Sequence, residues 1–60
     1  MVEPIFQYKN ILLAKYTNEK MDYTDYSIYD ITHEKPIILY KYETLAEATK
    51  EFYRRVCWLN

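Results

Sequence analysis

Apolar side chains in the last third of the chain recur at three- and four-residue steps: Leu45, Ala48, Phe52, Val56 and Leu59. That spacing puts them on one side of a helix and predicts one over residues 44–59. Glu47, Lys50, Glu51, Arg54 and Arg55 fall mostly on the other side, and Glu51 precedes Arg55 by four residues, suiting a modest ion pair. Thr44 and Glu47 have capping-box spacing. The Thr44 hydroxyl is expected to accept from the Glu47 amide while the Glu47 carboxylate reaches back to the Thr44 amide. Arg54 and Arg55 lie near the far end and suit the negative pole of the helix dipole. A helix this short is marginal alone in water, so its apolar face needs a covering layer.

The preceding residues supply that layer as strands. Ile5 to Tyr16 reads as a first strand with a break near Asn10. Phe6, Tyr8, Leu12, Ala14 and Tyr16 share one parity, and Gln7, Lys9 and Lys15 the other. Ile11 and Leu13 fall on the polar side. They signal either a β-bulge at Asn10 that swaps the faces or a second covered surface. Thr17 to Asp22 is polar and predicts a turn, with Asn18 the expected left-handed residue. Tyr23 to Thr32 is rich in β-branched and aromatic types and predicts a second strand. His33 to Pro36 reads as the next turn, with Pro36 opening a third strand over Ile37 to Tyr42. That strand is almost wholly apolar, which suits a central or best-covered position. The chain contains no glycine, so tight two-residue hairpins of the Asn-Gly kind are not expected and the turns should be longer. The predicted architecture is a single α+β domain over residues 1–60: a three-stranded antiparallel β-meander with one C-terminal amphipathic helix packed on one face.

Sixty residues bound what such a domain can do. A chain of this size buries about 60% of the surface it exposes when unfolded, and its core supplies roughly 5 kcal/mol or less. A single cysteine, Cys57, and a single histidine, His33, rule out an internal disulfide and a Cys/His zinc site. Stability must come from large side chains or from association with another chain, either a partner or a second copy in a homodimer. The composition favours both, with eight tyrosines, two phenylalanines and one tryptophan. The lone cysteine argues against a secreted, disulfide-built protein. No basic-then-apolar leader opens the sequence, and its longest apolar run, Ile11 to Ala14, is far short of a membrane span. A cytoplasmic protein is expected.

Catalytic signals are weak. His33, with Asp30 nearby, sketches a base and its orienter, but a turn histidine beside proline is ordinarily solvated. Arg54 is placed one turn from Cys57, yet a thiol between Val56 and Trp58 reads as an inert packing residue. Asp22, Asp25 and Asp30 match no calcium loop, and the glycine such loops require is missing. Without glycine there is no phosphate-cradling turn either. No enzyme activity, cofactor or metal is expected.

Charge is the more informative signal. The net charge is −1, but residues 18–34 carry five carboxylates against Lys20. Within them, Asp22, Tyr23, Asp25, Tyr26, Tyr29 and Asp30 alternate acids with phenols along one strand. Tyrosines give contact area at low entropy cost and acids steer an encounter, so these six form the candidate partner-binding residues. The implied partner is a protein with a basic surface. Carboxylates arrayed on a strand also stand in for phosphates, so a DNA-binding protein is one such partner. The alternative reading is a homodimeric structural or regulatory module that uses the same aromatic surface. Single-stranded nucleic-acid binding is the weaker alternative, because base-stacking platforms sit in basic grooves and this strand is acidic. In size, in its acidic Tyr-rich strand and in its strand-helix content the chain resembles the short early proteins of bacterial viruses. Phage uracil-DNA glycosylase inhibitors are an example. The resemblance implies a DNA-mimicking inhibitor of a host protein, and it rests on those general features rather than on shared residues.

Overall fold

A computed structural model describes residues 1–59, and the Leu59 side chain, expected on the apolar helix face, lies outside the described residues. It contains strands β1 (Val2–Tyr8), β2 (Ile11–Asn18), β3 (Tyr23–Asp30) and β4 (Ile37–Tyr42), followed by helix α1 (Leu45–Leu59). The strands pair antiparallel in the order β1-β2-β3-β4, so the sheet is a meander with the helix last. The α+β class and the C-terminal helix are as expected. The strand number is not: there are four strands, not three.

The difference arises at Lys9 and Asn10. Tyr8 pairs with Ile11, which makes these two residues a tight hairpin turn inside the stretch predicted as one strand. Lys9 takes the left-handed position there, at φ 52°. A side chain at positive φ costs on the order of 1–2 kcal/mol, and the pairing it closes offsets this. The turn also explains the misplaced Ile11 and Leu13. It resets the alternation, so Phe6 and Tyr8 of β1 share a face with Leu13 and Ile11 of β2. In the next turn the left-handed residue is Asp22, at φ 50°, rather than Asn18. Asn18 instead ends β2 and accepts a hydrogen bond from the Met21 amide at 3.3 Å.

Leu13 and Ile28 pair across the two central strands and are fully buried. Together with Ile11, Ala48 and Phe52 they form the core, flanked by Ile5, Tyr8, Tyr26, Leu39, Tyr42 and Val56. Phe6 stacks on Phe52 with ring centroids 5.9 Å apart, which ties β1 to the helix. The predicted helical stripe packs through Ala48, Phe52 and Val56, while Leu45 is exposed. At the helix start the Glu47 amide donates to Thr44 Oγ1 at 3.3 Å, as the capping box predicts. The reciprocal half differs, because the Glu47 carboxylate accepts from the Thr44 hydroxyl at 3.0 Å. Glu51 lies 3.8 Å from Arg55 and 3.7 Å from Arg54. The helix runs on past both arginines, so its last turn carries no basic residue.

β4 is not central. It is an edge strand, and Ile37 and Ile38 are about half exposed. Its pairing with β3 shifts between Ile28 and Tyr29, so Leu39 is inserted as a bulge. Both Leu39 and Tyr40 thereby fall on the helix side, Leu39 against the core and Tyr40 opposite Ile28. The shortest extent of the molecule is 15 Å, room for one sheet and one helix and no third layer. One face of the sheet is therefore covered and the other is open. Among the described residues no helix is long and apolar enough to cross a membrane.

Candidate functional site

Antiparallel register sorts the open face into rows. Leu12 pairs with Tyr29, Ala14 with Ser27, and Tyr16 with Asp25. Tyr23 lies beyond Asp25 on the same face, two residues along the strand. The middle row is small, Ala14 beside Ser27, and both are 1% exposed although no element lies over them. Pro4 and Lys41 complete that row from the outer strands. Small side chains at its centre, with phenols in the rows on either side, make a shallow trough.

Asp25 is the polar centre of this face. It is only 4% exposed, and its two carboxylate oxygens are both engaged. Oδ1 accepts from the Ser27 hydroxyl at 3.0 Å and Oδ2 from the Tyr23 phenol at 2.9 Å. A carboxylate shielded this way must be hydrogen-bonded, and here neighbours of the same strand supply the donors. The bond has a return effect. Donation to Asp25 holds the Tyr23 phenol above its ordinary pKa of 10.0, and partial desolvation with the negative charges of Asp25 and Glu43 adds to the rise. Tyr16 leans on Tyr23 with ring centroids 6.2 Å apart, and Asn18 Nδ2 donates to the Tyr16 oxygen at 3.5 Å. These contacts fix the rings that border the trough.

The six candidate residues are thus divided. Tyr23, Asp25 and Tyr29 share the open face. Asp22 stands at its end in the β2–β3 turn. Tyr26 and Asp30 fall on the helix side, opposite Lys15 and Ile11. Tyr26 is half-buried against the core. Asp30 closes a local turn by accepting from the Thr32 amide at 2.9 Å and from the Thr32 hydroxyl. Those two bonds hold its carboxyl below the ordinary 3.8, the side-chain bond contributing most. The three aspartates consequently do not line up along one face.

Tyr16 and Ser27 belong to the site and were not among the six. The signal for Ser27 was its parity with Tyr23, Asp25 and Tyr29. Tyr16 was obscured by the unrecognised turn at Lys9, which made it look like a partner of Phe6 and Tyr8.

The chain matches no protein-family model, no curated protein and no solved structure.

Reactive groups do not converge on the trough. Cys57 is exposed on the helix, and His33 is exposed in the loop before β4. Among the described residues no group of three His, Cys, Asp or Glu side chains stands close enough to hold a metal ion. What the face offers is hydrogen-bonding phenols, apolar ring surface, the Lys41 cation beside Ser27 and negative charge at one end.

Proposed function

We propose that the chain is a non-enzymatic protein-binding module whose open sheet face, centred on Tyr16, Tyr23, Asp25 and Tyr29, docks a protein with a basic surface. The observation that carries this reading is a built polar centre on an uncovered face. Asp25 and Ser27 are buried there and hydrogen-bonded within their own strand, with the Tyr23 phenol as the second donor to Asp25 and no packed element over them among the described residues. Preset aromatic side chains contribute contact area without a large ordering cost. The sign of the partner follows from Asp22, Asp25 and Glu43 around Tyr23, where an incoming Arg or Lys meets both carboxylate charge and phenol ring. Closing such a face over the working surface of a host protein would make the chain an inhibitor, in line with the phage proteins it resembles. Mimicry of a phosphate row receives less support, since the aspartates are spread over two faces and a turn.

A photo-crosslinking residue placed at Tyr29, with a control at exposed Ala46 on the helix, tests the proposal in cell lysate. One dominant product from the Tyr29 position, weakened by salt and missing from the control, is expected. Equal products from both positions, or a product that is only the chain's own dimer, overturns it.

A further inference from the structure

The two edges of the sheet are guarded very differently. β1 is protected by Glu3, by Pro4, which has no amide hydrogen to offer, and by the register shift between Pro4 and Phe6. β4 reads Ile-Ile-Leu-Tyr-Lys-Tyr, guarded within the strand only by the bulge at Leu39 and by Lys41, and its outer backbone groups have no neighbouring strand among the described residues. Beside it, on the helix side, lies a cleft of about 330 Å³ lined by Tyr40, Glu51, Arg54, Arg55 and Trp58.

The cleft is organised. Arg55 Cζ stands 4.7 Å from the Tyr40 ring centroid, and its Nη2 donates to the Tyr40 oxygen at 2.6 Å. Glu51 bridges towards both arginines. Two guanidiniums against one carboxylate leave the cleft positive, and the Arg54 side chain is 80% exposed. Trp58 is 88% exposed, the largest fraction among the exposed large hydrophobic residues. Trp, Tyr and Arg are the residue types on which binding energy concentrates.

We infer that β4 and this cleft together receive an extended acidic peptide, which adds to the sheet as a further strand. Main-chain pairing along Ile37–Tyr42 supplies affinity, and every second side chain of the guest is delivered to the helix side. A carboxylate there meets Arg54, and an apolar side chain at the next such position lies between the Tyr40 ring and the Trp58 indole. A second copy of the chain fits less well. Two-fold pairing along β4 would turn two positive clefts toward each other. This surface is separate from the open face, so either proposal stands if the other fails.

The test titrates isotope-labelled protein with a capped synthetic peptide in which glutamate and valine take turns at every second position with threonine between them, so that one face carries both, read by amide chemical shifts. Saturable shifts confined to 37–42 and 51–58 are expected. A lysine-for-glutamate peptide should bind about tenfold more weakly or worse, and N-methylation of alternate peptide amides should abolish binding. Arg54→Glu and Trp58→Ala, both on exposed side chains, should each weaken binding about tenfold with an unchanged melting curve. Equal binding of the lysine peptide, full affinity in Arg54→Glu, or no shift at millimolar peptide overturns the inference. So does a sedimenting dimer whose 37–42 amides shift on dilution, which would assign the edge to a second copy.

Discussion

Asp25 accepts from two hydroxyls of its own strand, and this local arrangement lets a carboxylate sit almost wholly shielded on a face that nothing covers. Removing it strands the Ser27 hydroxyl, itself 1% exposed. Asp25→Ala is therefore expected to cost about 1–3 kcal/mol, with Asp25→Asn milder because the amide oxygen still accepts; urea unfolding of the two variants checks both. The same bond has a pH signature. Tyr23 titrates above 10.0 in the folded chain, so its contribution to stability is fully present below that pH and is lost as pH rises through the folded value. Tyr42, raised chiefly by burial, loses stability in the same alkaline window. Asp30 behaves oppositely: its lowered pKa gives stability present above 3.8 and lost as pH falls through the folded value. Melting temperatures should fall at both extremes. Tyr23→Phe should make the alkaline fall shallower. At this scale the sequence was legible in kind but not in direction. Tyr and Asp alternation marked the strand, yet which parity faced solvent depended on a helix elsewhere in the chain.

Helix α1 was legible almost to the residue, because an apolar stripe and a capping pair are local signals, and Ala48, Phe52 and Val56 of that stripe pack on the core. Phe52, 4% exposed and stacked on Phe6, is the side chain that ties helix to sheet. Phe52→Ala is expected to cost about 3–5 kcal/mol, enough to unfold a domain this small; a melting curve near wild type would contradict the packing described. The first hairpin was legible only as a break near Asn10. A tight turn is usually announced by glycine, and here a lysine carries the positive φ, so the break read as an irregularity within one strand rather than as a turn between two. Lys9→Gly should accordingly raise stability, by up to about 1 kcal/mol after the greater freedom of glycine in the unfolded chain is set against the relieved strain. Denaturant midpoints would show it. The apolar run of β4 misled in turn, since a continuous hydrophobic stretch suits a buried strand, whereas here it forms a sheet edge.

Taken whole, the molecule is a two-layer fold in which only β2 and β3 are flanked by strands on both sides and packed by the helix. Hydrogen exchange should follow that plan. Amides of β2 and β3 should exchange slowest, at the rate set by global unfolding, and those of β1, β4 and the ends of α1 faster. Uniform protection across all four strands would mean that the edges are covered in solution. One consequence of the open trough concerns how such a chain can change over generations. Along β2 and β3 alternate residues answer to separate demands. Leu13 and Ile28 decide whether the chain folds, while their neighbours Leu12 and Tyr29 stand on the open face. Under the docking role proposed above, a lineage carrying this fold would exchange one partner for another through single substitutions there, without renegotiating its core.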